Sequence, residues 1–481
     1  MTPVPNPTYM GDIRHFFRPM DVSHMASKSI QLGTYDGVRS HAVMIYFETL
    51  GPDPMMPPDT AGQWDADKSE TFKNWMRNGY PLGTATAPAD TTPSAPGAPA
   101  RVRKDVTALD DHELGALAAA FEGLMARDWT ADDGYFALAG IHGLPNQYCL
   151  HHEDPFNPWH RVYLQEFEDA LRAVPGCADV TLPYWDFLTP LPAVLQQAPF
   201  ASYAPPPASN IGFTTTQRYT PAQITANLQA NGVPDDVKWS LKQSRWGAFN
   251  TSGYQNFSIQ AHDGGHDGIG PTMANQDWAS FDPVFWFFHC NIDRLWLSWQ
   301  TAVDGTTLPG FITTLDGDTD WLSPPINVMQ PWTTTSTESI TFDIGYDKLA
   351  PVPTEPSALE NKVGSLDATR SFRIRRSDPV SVRVKGIDRL NIPGTFRVVL
   401  LADGKPIARR AFFQPTSPRQ CETCAKRARV NIDFRVDQAE ITDRALSVEI
   451  HVSGQEEMGT KFPLAQAGNP TINVRLLLED T

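Results

Sequence analysis

The spacing of apolar side chains changes period once along this chain of 481 residues, and that change calls for two kinds of architecture. After Asp110, the residues Leu114, Leu117, Ala118, Phe121 and Leu124 follow at helical spacing. Glu113 stands three residues after Asp110, which is the spacing of a capping box. Further helices are predicted over about 131–142, 160–174, 258–268 and 281–301, so the chain to roughly 350 reads as mainly helical with long loops. From Ser371 the period is two. Segments 372–375, 380–384, 396–399, 430–434, 446–450 and 472–476 alternate between Gly and Pro turns, the pattern of a β-sandwich or barrel.

Two Pro-rich stretches punctuate the pattern. Residues 81–100, rich in Pro, Ala and Thr, cannot bury a core and read as a linker, and a second break lies at Pro351–Pro356. The expected organisation is an N-terminal extension with linker over 1–100, a mainly α helical-bundle domain over 101–350, a linker over 351–370 and an all-β sandwich-like domain over 371–481. A formal charge of −16 argues against nucleic acid or an anionic membrane as partner. The longest apolar run, around Phe281–Trp299, is broken by Asp282, His289, Asp293 and Arg294, so no membrane span is expected. The first residues lack a basic stretch followed by an apolar one, which sets the expectation of a cytoplasmic protein. Five cysteines do not make a disulfide framework.

Of twelve histidines, seven fall between 142 and 289. His262 and His266 are four apart, which on a helix puts both imidazoles on one face, ready to share a metal; core packing produces such a pair too. His289 lies among Phe285, Trp286, Phe287 and Phe288. A buried imidazole there is satisfied either by a metal or by bonding to Asp293. His151 and His160 are nine residues apart, about 180° around a continuous helix, so one helix could not aim both at one ion. Pro155 and Pro158 break any such helix, leaving His151 on a loop and His160 at the start of the next helix. His142 closes the preceding helix, before Gly143 and Pro145. Two three-histidine sets without a compulsory carboxylate point away from iron, Mg or Ca and toward Cu or Zn. Zinc hydrolysis gives no reason for two sets, whereas copper cycling with O2 does.

The stretches Gln147–His151 and Pro158–Leu164, then His262, His266, Phe281–Phe285 and His289–Trp296, carry a resemblance. They are similar, in order and spacing, to the copper motifs of the tyrosinase, catechol oxidase and haemocyanin family of dinuclear copper proteins, over roughly 101–350. The resemblance implies that His142, His151 and His160 hold one copper ion and His262, His266 and His289 a second. It further implies that O2 is the oxidant and that small phenols become ortho-quinones, the chemistry that starts melanin formation, with monophenol ortho-hydroxylation as a further activity. Cys149 matches a cysteine that in many members is joined to the following histidine, here His151, by a thioether; an inert buried thiol is the plainer reading. Arg103 and Tyr346 match residues that clasp the two ends of the copper domain.

Departures from the family pattern narrow these expectations. Phe288 stands where many members have a histidine before the ligand, here His289. His152 is an extra neighbour of His151, read as lying beside the site or on the surface. Asp263 stands where many members have Asn, and no Glu occurs between 237 and 261, where tyrosinases carry a water-ordering one. Diphenol oxidation is therefore favoured unless Asp263 serves as the base. The β domain resembles the lid of fungal and some bacterial members, with Phe412 or Phe413 as the plug. Cys421 and Cys424 resemble a copper-delivery pair; two ordinary thiols are the alternative. A haemocyanin-like oxygen carrier and an ortho-aminophenol oxidase remain competing readings, and a homo-oligomer is compatible with all three.

Overall fold

The computed structural model of the chain describes residues 3–352 and 379–476, apart from 19–20, 23–24, 26–29, 50–56, 58–62, 83–100, 144–148, 251–256, 324–325, 327–333 and 454–460 and the single residues 10, 31, 33, 79, 132, 316 and 318. The linker at 83–100, most of the Pro351–Pro356 break, the 372–375 strand and Gln147–Tyr148 of the first motif lie outside the described residues.

The chain forms two compact units, and the division crosses the segment read as 101–350. One unit combines Met1–Val102 with Gln300–Gly345. Its helix Ala66–Arg77 is capped by the Asp65 side chain and buries Phe72 and Trp75 against Phe16, Trp64 and Tyr35.

The other unit, Arg103–Trp299 with Tyr346–Thr481, contains every residue singled out for chemistry. Its main helices are α1 (Asp111–Met125), α2 (Tyr135–Gly143), α3 (Phe156–Arg172), α4 (Pro221–Ala230), α5 (Val233–Ser240), α6 (Phe257–Ile269) and α7 (Val284–Ala302). The capping box at Asp110 and Glu113 forms as predicted. Helix α3 starts four residues before His160, not at it. Pro158 falls in its first turn, where a missing N–H costs no intrahelical bond, so the proline is accommodated rather than breaking the helix. Below the helices Arg103, fully buried, bonds Glu168 at 2.6 Å, Asp293 at 3.3 Å and the Tyr346 hydroxyl at 3.2 Å. Arg161 adds a 2.6 Å bond to Asp293. The two expected clasp residues thus meet over a shared carboxylate, which a buried guanidinium requires.

The β part has six described strands: β1 (Pro379–Asp388), β2 (Phe396–Ala402), β3 (Lys405–Phe412), β4 (Arg429–Asp437), β5 (Leu446–Val452) and β6 (Thr471–Leu476). They form two antiparallel three-stranded sheets, β4-β1-β6 and β3-β2-β5. Alternate residues such as Val380, Val382, Val398, Leu400, Phe434 and Ile450 fill one shared core, as the period of two requires. Strand β3 was not predicted, because Lys405-Pro406-Ile407-Ala408-Arg409-Arg410 does not alternate; it lies beside α6.

Candidate metal centre

All six predicted histidines are buried and converge. His142 ends α2, His151 sits in the loop before α3, His160 is on α3, His262 and His266 are one turn apart on α6, and His289 is on α7. The backbone fixes three of the six rings through Nδ1. His142 faces the Gln276 carbonyl at 3.2 Å, His160 that of Phe156 at 2.8 Å, and His266 that of Met273 at 2.8 Å. His262 Nδ1 faces Asp263 Oδ1 at 2.8 Å. These contacts leave Nε2 of His142, His160 and His262, both nitrogens of His151, and Nδ1 of His289 buried without a partner. Orphaned ring nitrogens are costly unless an ion takes their lone pairs.

Among the described residues, two groups of three have ligand atoms within 4.8 Å of one another: His142, His151 and His160, and His160, His262 and His289. The first is the predicted first set. In the second, His160 stands in for His266, whose Nε2 instead lies 3.0 Å from His289 Nε2. Burial, followed by the neighbouring imidazoles, pushes His142, His262 and His289 well below the usual histidine range, and burial takes His160 and His266 down to about 3. Neutral imidazole is the ligand form, and six of them without an intruding carboxylate suit copper or zinc. The bland alternative for His289 finds no support, since the Asp293 oxygens serve Arg161, Tyr346 and Arg103.

One aromatic ring from the β part covers the cluster. Phe413 stacks on His266 at a centroid distance of 4.1 Å and meets His151 and His262 edge-on at 5.2 and 5.5 Å. Phe412, the other candidate, points elsewhere: it stacks on His152 at 4.3 Å and on Phe396 at 5.2 Å. Successive residues face opposite sides, so Phe413 reaches the six-histidine cluster while Phe412 meets His152 beside it.

Asp263 joins these parts. Oδ1 receives His262, and Oδ2 accepts the Phe413 N–H at 3.0 Å and lies 3.4 Å from His152 Nε2. Burial raises its carboxyl well above the usual range, against the Phe413 amide and Arg389. His152 is mostly buried rather than on the surface, with its ring between Phe412 and the Phe413 carbonyl. Cys149 is a buried thiol whose sulfur accepts from Gln276 at 3.2 Å. Cys421 and Cys424 are joined as a disulfide, so holding Cu(I) would first require their reduction. Phe288 fills space beside His266, 5.0 Å away ring to ring.

Residues that sequence reading missed fasten the β part onto this face. Arg397 bonds Asp267 at 2.7 Å, Arg410 bonds Asp236 at 3.1 Å, and Arg427 pairs with Glu153 at 2.8 Å. Their one visible signal was the Arg409-Arg410 pair interrupting a strand-like stretch.

The family model "Common central domain of tyrosinase" matches residues 132–215 and 195–302. Haemocyanin 2 of Megathura crenulata is 32% identical over 241 residues, 44% of this chain but only 7% of the haemocyanin. Three further molluscan haemocyanin matches span 18% of their length or less. Tyrosinase of Aspergillus oryzae is 25% identical over 439 residues, covering 62% of this chain and 80% of that protein. The solved tyrosinase of Burkholderia thailandensis superposes with a TM-score of 0.58 at 20% identity, over 79% of this chain and 100% of that one, which establishes the shared fold. Residues 132–302 thus match the central domain of tyrosinases, and fungal and bacterial tyrosinases stand among the relatives of the chain.

Proposed function

We propose that the chain is a dinuclear copper oxidase that converts ortho-diphenols into ortho-quinones, with the β part as a lid over the site. The observation that carries this reading is the buried set of six histidines with orphaned nitrogens beneath a single phenyl ring. His142, His151 and His160 would hold one copper, and His262, His266 and His289 the other. When bound, the copper pair supplies the redox couple that passes electrons from the phenol to O2. Overall, two diphenols lose two electrons and two protons each, and one O2 leaves as two waters.

The chain's own residues orient and exclude. Backbone carbonyls and Asp263 set the rings so that the nitrogens point inward, and Phe413 marks where a phenol ring would stack on His266. While Phe413 is in place, its ring occupies the position over His266 that a phenol would take. Its withdrawal frees Asp263 Oδ2 from the amide N–H, and that oxygen is then placed to take the proton of a monophenol. A thioether between Cys149 and His151 would form with loss of the S–H and one ring C–H hydrogen to O2; an intact mass lower by two hydrogens after copper loading would reveal it.

An oxygen carrier is the second reading, favoured by the haemocyanins among the relatives. The length of the match to the Aspergillus oryzae tyrosinase supports the oxidase. Copper-loaded chain is mixed with 4-tert-butylcatechol and with 4-tert-butylphenol, before and after the lid is opened by limited proteolysis. Quinone from the catechol upholds the oxidase, and quinone from the phenol adds hydroxylation. Reversible O2 binding without turnover, even after opening, establishes the carrier instead.

A further inference from the structure

Four carboxylates frame the histidine cluster, each within two residues of a candidate ligand or of the residue that holds one. Glu153 follows His151 by two residues, Asp263 follows His262, Asp267 follows His266, and Asp277 follows Gln276, whose carbonyl meets His142. All four bond to the β part. Arg427 takes Glu153, the Phe413 amide takes Asp263, Arg397 and Ser453 take Asp267, and the Thr416 amide bonds Asp277 at 3.2 Å. The lid is thus the counter-charge of the face it covers. The arginines that answer these carboxylates belong to β2 and to the loop ahead of β4, not to the helices that carry the histidines. Arg389, the cation acting on Asp263, also comes from the β part.

We propose that the uncovered site selects phenols whose ring substituent carries a protonated amine over those whose substituent carries a carboxylate. The proposal rests on the oxidase reading for its substrates. Substrate enters only when the lid is withdrawn, and withdrawal removes Arg397 and Arg427 together with Phe413. Glu153, Asp267 and Asp277 then border the entrance without those cations, and the acidic rim concentrates cations and repels anions at short range. Asp263 need not be charged for this, because the other three suffice. The preference is one of approach and binding, so it resides in KM and in salt dependence rather than in kcat.

The test uses the full chain carrying Phe413→Ala, Arg397→Gln and Arg427→Gln, copper-loaded, with 3,4-dihydroxyphenethylamine, 3,4-dihydroxyphenylpropionate and neutral 4-tert-butylcatechol. The expected kcat/KM for the amine exceeds that for the carboxylate by about tenfold or more at low salt, and the ratio shrinks at least about threefold at 0.5 M NaCl. Equal rates, the reverse preference, or a ratio insensitive to salt would overturn the proposal. If even 4-tert-butylcatechol is not oxidised, the oxidase reading fails. The charge preference is then decided by equilibrium binding of phenethylammonium against phenylpropionate to the same chain. Should the triple variant not fold, Phe413→Ala alone is expected to keep the preference with a smaller ratio, because both arginines remain; no preference there counts against the proposal.

Discussion

At Asp263 two demands meet on one side chain, since it orients His262 through one oxygen and receives the lid through the other. Asp263→Asn keeps a polar group of the same shape but removes the base. The expected result is monophenol oxidation reduced by about tenfold or more with catechol oxidation little changed. Initial rates on the two tert-butyl substrates measure it, and unchanged monophenol oxidation would retire Asp263 as base. Residue identities at the site were largely legible because a histidine in an aromatic surround has few ways of being satisfied. What could not be read was each ring's partner. The acceptors that hold His142, His160 and His266 are the backbone carbonyls of Gln276, Phe156 and Met273, and a backbone carbonyl leaves no trace in residue type.

Among the elements, α6 shows how closely its neighbours approach. A Cβ on Gly265 would lie 2.5 Å from the Phe288 ring, and one on Gly264 would lie 2.9 Å from Val233. Gly265→Ala is therefore expected to destabilise the fold by about 1–3 kcal/mol, read by chemical denaturation; a neutral result would mean that α7 gives way easily. Helix α5 meets β3 through Asp236 and Arg410, where burial pushes the Asp236 carboxyl up to about 7 against the pull of Arg410. A carboxyl raised in the folded state binds more protons folded than unfolded. Its stabilising contribution is then present below the ordinary carboxylate pKa and lost as pH rises through about 7. The melting temperature of the parent chain should fall relative to Asp236→Asn between pH 5 and pH 8, and a constant difference would contradict this assignment. Five of the six described strands were legible because they alternate. Strand β3 was not, because Arg410 is buried through an ion pair with Asp236, 174 positions earlier, which a local pattern cannot encode.

For the whole molecule, the lid and the histidine face belong to one compact unit, although His289 and Phe413 are far apart in sequence. Phe413→Ala in the full chain is expected to raise catechol oxidation without proteolysis by at least about tenfold, since it removes the ring that stacks on His266. Quinone absorbance measures it, and an unchanged rate would place the barrier elsewhere in the lid. The two-architecture organisation was visible in the sequence, but the grouping of 300–345 with the first hundred residues was not, because periodicity says nothing about which helices pack together. The ring that stacks on His266 also bears on traffic in the other direction. An ion seated beneath Phe413 would lie under the same ring that a phenol must displace, so shutting out reactants and retaining metal become one property. A chelator should strip copper slowly from the closed chain and much faster from Phe413→Ala, which makes the time the metal stays a gauge of how often the lid opens.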